Sequence, residues 1–130
     1  MKGHRFIDRL GFAWAGLRAA WRLEKSMKTH ALATAGMAAL LLISKAPAIW
    51  WAVMAMTIAM VISTELLNTA IEALADHLHP HQHEAIKLTK DVAAAAVLVA
   101  SLMALVVAAA FFVDQLWPLL SAWLRPSHPA

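Results

Sequence analysis

The chain has 130 residues, of which 62% are hydrophobic and 15% are charged, and its mean hydropathy is +0.64. This composition is too apolar for an ordinary soluble domain, and the length favours a single domain over residues 1–130. The absence of cysteine excludes disulfide bonds and thiolate metal sites. We therefore expect a membrane protein without a nucleic-acid partner, because little soluble surface remains to dock a duplex despite the net charge of +3.

The first predicted element is an interfacial helix within residues 1–30. Between Arg5 and Lys28, apolar side chains recur at helical spacing on one face, and basic side chains occupy the other. Seven of the 11 Lys and Arg residues of the chain lie in its first 28 positions. This charge indicates contact with anionic lipid headgroups and, by the positive-inside rule, a cytoplasmic location.

Three hydrophobic segments follow and predict three transmembrane helices, which makes the expected fold class an all-α membrane protein. The first, 31–45, is shorter than the roughly 20 residues that a span needs, unless the preceding residues extend it. The second, 47–76, begins at a proline, which suits the first position of a helix. The third, 92–113, is uninterrupted and apolar. The segment 77–91 is then a cytoplasmic loop, and 114–130 is an outer tail.

The second predicted span carries a polar stripe. Glu65, Asn68, Glu72 and Asp76 fall at i, i+3, i+7 and i+11 on one helix face. The preceding residues 48–64 contain no charged side chain. A carboxylate on such a segment is costly in lipid and indicates a function, with a purely structural ion pair as the alternative.

The predicted topology brings these acids to the same membrane boundary as Glu24 and the pair Lys90-Asp91. Carboxylates that hold a hard divalent cation on phosphate oxygens, together with a lysine, suit phosphoryl transfer. The chain has no glycine-rich phosphate loop and no GxSxG motif, so the common soluble kinase and hydrolase templates do not apply.

At these residues the chain resembles the small bacterial integral-membrane lipid kinases, diacylglycerol kinase and undecaprenol kinase. The resemblance covers roughly residues 5–101 and rests on three motifs in the same order and spacing. They are Phe12-Ala13-Trp14-Ala15-Gly16-Leu17-Arg18-Ala19-Ala20-Trp21 with Glu24, Glu65-Leu66-Leu67-Asn68-Thr69-Ala70-Ile71-Glu72 with Asp76, and Lys90-Asp91.

The resemblance implies ATP-dependent phosphorylation of a membrane lipid alcohol, with ATP and Mg²⁺ as cofactors. Glu65 matches the proposed general base, and Asn68 matches a residue that helps to orient the reacting group. Lys90 matches a catalytic lysine beside the nucleotide. Glu24 and Glu72 match the carboxylates that hold magnesium. The positions that match nucleotide contacts are Arg5, Phe12, Glu24, Glu72, Asp76, His83, Lys90 and Asp91. The positions expected beside the lipid are Trp21, Glu65 and Ala94.

Family members are homotrimers with a surface helix and three transmembrane helices per subunit. The resemblance therefore implies a homotrimeric helical bundle in the bacterial inner membrane, with active sites that face the cytoplasm and are shared between subunits. Ala93 and Ala94 replace a glycine and a serine of diacylglycerol kinase, and Leu88 replaces an arginine. Residues 25–30 are more similar to undecaprenol kinase, so the lipid is diacylglycerol or undecaprenol.

Two further hypotheses come from other classes. Four histidines alternate over residues 77–83, between Asp76 and Glu84, and imidazoles with carboxylates bind zinc, nickel or copper in small metal transporters or sensors. The alternation passes through Pro80, and the spans offer few further ligands, which disfavours a transport path. A non-catalytic membrane assembly protein is the third hypothesis.

Overall fold

The computed structural model describes residues 5–79, 81 and 83–124, and within these residues the fold is entirely helical, without a β-strand. The expected all-α class is confirmed. The elements in chain order are α1 (Phe6–Leu23), α2 (Lys25–Ile43), α3 (Ala48–Leu78), α4 (Glu84–Phe111), a π-helical segment (Phe112–Leu116) and α5 (Trp117–Leu124).

Three helical stretches are long and apolar enough to cross a membrane, as the sequence predicts. They are Lys25–Ile43, Ala48–Leu78 and Glu84–Leu124. The 31 residues of α3 span roughly 46 Å at 1.5 Å per residue, which exceeds a hydrocarbon core of roughly 30 Å. One end of α3 therefore projects beyond the apolar layer, and the acidic stripe marks which end it is.

The surface helix ends earlier than predicted. It was expected within residues 1–30, but α1 stops at Leu23 and Glu24 adopts an extended conformation, with φ −105° and ψ 123°. The next helix begins at Lys25, so residues 25–30 belong to the first span and bring it to 19 residues. Periodicity did not show this break because it occupies one residue that is neither glycine nor proline.

The predicted cytoplasmic loop 77–91 is also mostly helical. The third helix continues to Leu78, and α4 begins at Glu84, so only residues 79–83 connect them. The first turns of α4 are charged but helical, and Lys87 donates a hydrogen bond to Asp91 one turn later, at 2.8 Å. Hydropathy marks where a helix enters lipid rather than where it begins, which explains the difference.

The outer tail predicted at 114–130 continues the third span instead of leaving it. The π-helical segment and α5 extend the helix to Leu124, and positions 125–130 lie outside the described residues. The indole Nε1 of Trp50 donates to Asp114 Oδ2 at 2.8 Å, which joins the start of α3 to this extension.

The helices α3 and α4 form the most extensive helix pair of the fold. Small residues make this approach possible, because Ala75 on α3 and Ala93 and Ala100 on α4 are buried. At the other end, the ring of Phe111 packs edge-on against Trp50, with centroids 5.3 Å apart. The α3–α4 pair is the frame that positions the acidic stripe.

Candidate active site

The acidic stripe passes from the protein interior to the surface along one face of α3. Glu65 is 5% exposed, Asn68 and Glu72 are half-buried, and Asp76 is exposed. The exposure of these side chains thus increases along the predicted shared face, over about three helical turns. Its deepest member, Glu65, is the carboxylate whose presence most needs an explanation.

His30 on α2 contacts this carboxylate. Its Nε2 atom lies 2.9 Å from Glu65 Oε1, a contact that joins two spanning helices across 35 positions of sequence. The hydroxyl of Thr69 also donates to the Glu65 backbone oxygen at 3.0 Å. A buried carboxylate is tolerated only with a hydrogen-bonding partner, and here the His30 imidazole is that partner. Sequence analysis did not identify His30, and the only signal was an imidazole at the start of an apolar run.

Asn68 lies one turn along the stripe and has an unpaired atom. Its Oδ1 is buried without a hydrogen-bond partner among the described residues. Such an orphaned acceptor costs about 1–3 kcal/mol. An unpaired amide oxygen beside a buried carboxylate is suited to receiving a donor from a bound molecule.

Lys90 links α4 to the exposed end of the stripe. Its ammonium group lies 2.8 Å from Asp76 Oδ1, whereas Asp91 pairs with Lys87 at 2.8 Å. Exposed ion pairs such as these contribute little to stability. Their main consequence here is that the Lys90 ammonium is held over α3, next to the acidic stripe.

An open cleft of about 610 Å³ lies at this end of the α3–α4 pair. This volume suits a nucleotide-sized ligand. Four of the predicted nucleotide-contacting residues line it: Asp76, His83, Lys90 and Asp91. The cleft and the stripe are continuous, since Asp76 belongs to both.

The sequence model of the prokaryotic diacylglycerol kinase family matches residues 11–112 of the chain. The chain belongs to this family. The matched region includes every predicted site residue except Arg5. The family consists of lipid kinases, so the chain is assigned to this class of enzyme. A kinase family also implies a nucleotide as the phosphoryl donor.

Individual relatives support the same conclusion. The chain is 35% identical to the diacylglycerol kinase of Escherichia coli (strain K12) over 109 residues, which cover 78% of this chain and 84% of that protein. It is 33% identical to the diacylglycerol kinase of Synechocystis over 110 residues, 84% of this chain and 63% of that protein. It is 29% identical to the undecaprenol kinase of Bacillus subtilis over 113 residues, 87% of this chain and 92% of that protein.

The other residues that were predicted to contact nucleotide or lipid lie away from the cleft. Arg5 precedes α1, and Phe12 lies in a separate depression on α1 beside Arg9. Trp21 is exposed on α1, and Ala94 is exposed on α4. The cleft residues and these α1 residues therefore do not form one pocket within the described part of the chain.

Glu24 and Glu72, which were expected to hold Mg²⁺, carry the carboxylate oxygens that a hard cation requires. Both are half-buried, Glu24 at the junction of α1 and α2 and Glu72 in the middle of the stripe. Among residues 5–79, 81 and 83–124 no cluster of three or more metal-ligating side chains occurs. Such a cluster is not required, because Mg²⁺ is usually held by one or two carboxylates with phosphate oxygens and water.

The histidine segment contributes to the cleft rather than to a closed metal site. His79, His81 and His83 line the cleft, and the rings of His79 and His83 lie 6.2 Å apart. His83 Nδ1 accepts the Ala85 amide at 3.2 Å, so this imidazole caps α4. The proline of the alternating run, Pro80, lies outside the described residues.

Proposed function

We propose that the protein transfers the γ-phosphate of ATP to the hydroxyl group of a membrane lipid, at the cytoplasmic face of the bacterial inner membrane. The observation that carries this proposal is the continuity of the acidic stripe. It joins a buried carboxylate, Glu65, to a polar cleft at Asp76, roughly 16 Å away along α3. Lipid reaches the buried end from the bilayer, and nucleotide reaches the cleft from water.

The proposed chemistry begins at Glu65. Its carboxylate accepts the proton of the lipid hydroxyl, so that the O–H bond breaks as the lipid oxygen bonds to the γ-phosphorus and ADP leaves. The amide of Asn68 orients the reacting groups, because its Nδ2 can donate to the lipid or phosphate oxygen while its unpaired Oδ1 accepts from another donor of the bound molecules. Glu65 and Asn68 are held in position among apolar helices, which also shield the reacting groups from water.

Two carboxylates and one lysine would hold the phosphates. Glu24 and Glu72 would hold Mg²⁺ on the phosphate oxygens, and the ion, when bound, neutralises their charge. Lys90 uses one of its three donor positions on Asp76, which leaves the others for a phosphate oxygen. Charge neutralisation and positioning are the main contributions that a phosphoryl-transfer site makes.

We propose a homotrimer in which neighbouring subunits complete each site. Arg5 and Phe12 match nucleotide contacts of the family but lie on or before α1, apart from the α3–α4 cleft. A neighbouring subunit would supply an α1 to a cleft that one chain leaves open. Small residues on the spans, such as Ala33, Gly36 and Ala39, allow the close helix approach that this requires.

A phosphorylation assay with the purified full-length protein tests the proposal. Diacylglycerol, undecaprenol and a ceramide-like alcohol are offered in mixed micelles with radiolabelled ATP, with Mg²⁺ or with excess chelator. We expect phosphorylated lipid from at least one alcohol, and its loss on chelation. The absence of product from all three lipids with Mg²⁺ present would contradict the proposed function.

A further inference from the structure

We infer that His30 is a positioning residue of this site: its Nε2 atom holds one oxygen of the Glu65 carboxylate and leaves the other oxygen for the lipid hydroxyl. The inference rests on the proposed function and adds to it a residue from α2. Its basis is the contact of 2.9 Å between His30 Nε2 and Glu65 Oε1.

The direction of this hydrogen bond follows from the chemistry of a general base. A carboxylate that accepts a proton must be ionised beforehand, and an ionised carboxylate only accepts hydrogen bonds. His30 Nε2 must therefore carry a hydrogen and donate a hydrogen bond to Glu65 Oε1. Oε2 remains for the hydroxyl proton, so the imidazole determines which oxygen acts as the base.

The surroundings hold His30 in place for this role. Its backbone oxygen accepts a hydrogen bond from the Thr34 hydroxyl at 2.7 Å, one turn along α2. The imidazole is largely buried, with 24% of its side chain exposed, against 7% for Glu65. Because these two side chains are largely shielded from solvent and lie on different helices, their contact restricts the rotamers of both. An exposed surface pair is held less firmly.

The His30–Glu65 pair also lies between two different cavities. On one side is an apolar cavity of about 420 Å³ between α2, α3 and α4, lined by His30 itself with Val61, Ile62 and Ala104 among others. On the other side, the stripe leads to the polar cleft at Asp76. The base and its positioning residue thus occupy the boundary where an apolar substrate and a phosphate donor would meet.

Three substitutions in the full-length enzyme test the role of the donor. His30→Ala removes it, and His30→Gln places an amide donor close to the position of Nε2. Ser44→Ala is the matched control, because it also removes a side-chain hydrogen bond of α2, to the Leu41 backbone, but lies at the opposite end of that helix from His30 and lines neither the apolar cavity nor the cleft. Each variant is assayed for kcat, for KM towards ATP, and for assembly in micelles.

We expect His30→Ala to lower kcat by about 100-fold, the cost of a reacting group misplaced by about 1 Å, while KM for ATP changes by less than about threefold. His30→Gln should recover kcat to within about tenfold of wild type, and Ser44→Ala should stay within about twofold. If His30 served only in folding, His30→Ala would lower the yield and assembly of the protein. It would not lower kcat while KM for ATP stayed unchanged.

Equal losses of kcat in His30→Ala and His30→Gln, or wild-type kcat in His30→Ala, would overturn the inference. Should His30→Ala fail to assemble, His30→Asn replaces it, because its shorter amide places the donor out of reach; equal kcat in the Asn and Gln variants is then the contrary result. A wild-type enzyme that phosphorylates none of the three lipids refutes the proposed function itself, which separates the two failures.

Discussion

At the scale of single residues, the buried carboxylate of Glu65 is the most informative feature of the protein. Hydropathy and spacing placed it on a spanning helix, and the structure shows it 5% exposed and paired with an imidazole. Burying a carboxylate is costly, so its burial here implies a catalytic benefit. A base that is shielded from water accepts its proton from the substrate and not from solvent.

The first prediction is that Glu65→Gln lowers kcat by roughly 10²–10⁴, the usual contribution of a general base. The amide keeps the shape of the side chain but cannot accept the hydroxyl proton. Nucleotide binding, measured by a fluorescent ATP analogue, should persist. Asp114→Asn is the control, since Asp114 lies at the opposite end of the spans. Near-normal turnover in Glu65→Gln would remove the residue from the base role.

The second prediction concerns the proposed magnesium ligands. Glu24→Gln or Glu72→Gln should raise the Mg²⁺ concentration for half-maximal activity by at least about tenfold, since losses of this size accompany even weaker, outer-shell changes at metal sites. One anionic oxygen ligand of a hard cation is lost in each case. A magnesium titration at saturating lipid measures the shift, and a curve that superimposes on wild type would count against the assignment.

At the scale of elements, the junctions between helices determine how the site is assembled. The turn between α2 and α3 is a Schellman motif: the Ala46 amide donates to Leu41 and the Lys45 amide to Leu42, at 3.0 and 3.1 Å. Lys45 occupies the left-handed region, with φ 51°. This turn sets the angle at which α2 brings its histidine to α3.

The third prediction is that Lys45→Gly stabilises the protein by about 1 kcal/mol, because glycine adopts the left-handed conformation without the Cβ penalty of other residues. Lys45→Val should destabilise it, since a β-branched residue fits that region poorly. Thermal unfolding in detergent, followed by circular dichroism, compares the two variants with wild type. A lower Tm for Lys45→Gly than for wild type would contradict this interpretation of the turn.

The fourth prediction concerns the connection between α3 and α4. Simultaneous replacement of His77, His79 and His81 by Asn should leave kcat at saturating ATP within about threefold of wild type, because none of them forms a hydrogen bond or ion pair with the stripe carboxylates or Lys90 in the described residues. Since His79 and His81 line the cleft, any effect of these substitutions is expected on KM for ATP. His83, which caps α4, is left unchanged. If activity and binding of Zn²⁺, Ni²⁺ or Cu²⁺ are lost together, the metal-handling hypothesis gains the support that it now lacks.

At the scale of the whole molecule, the fold separates two environments along one helix pair. The spans α2 to α4 line an open apolar cavity, and the charged ends of α3 and α4 line a polar cleft. The excess length of α3 makes this possible, because a helix that only crossed the bilayer would not reach water with its stripe. A lipid kinase needs both environments within reach of one base.

The fifth prediction is that undecaprenol is phosphorylated measurably and at least as fast as diacylglycerol. The resemblance to diacylglycerol kinase matches Ala93 and Ala94 to a glycine and a serine of that enzyme, and Leu88 to an arginine. A glycerol ester needs polar partners, whereas a polyprenol presents one hydroxyl on a hydrocarbon chain. Initial rates at equal surface concentrations rank the lipids. Robust diacylglycerol phosphorylation without polyprenol product would reverse this order and leave the kinase assignment intact.

The sequence by itself determined the membrane environment, the three spans and the shared face of the acidic stripe, because hydropathy and helical period are local properties. Only the tertiary structure decided that Glu65 pairs with His30, and that Lys90 pairs with Asp76 while Asp91 pairs with Lys87. It also decided where α1 ends and where α4 begins. The cross-helix pairs depend on how helices distant in sequence pack, and both helix ends fall at residues without the glycine or proline that marks a boundary in sequence.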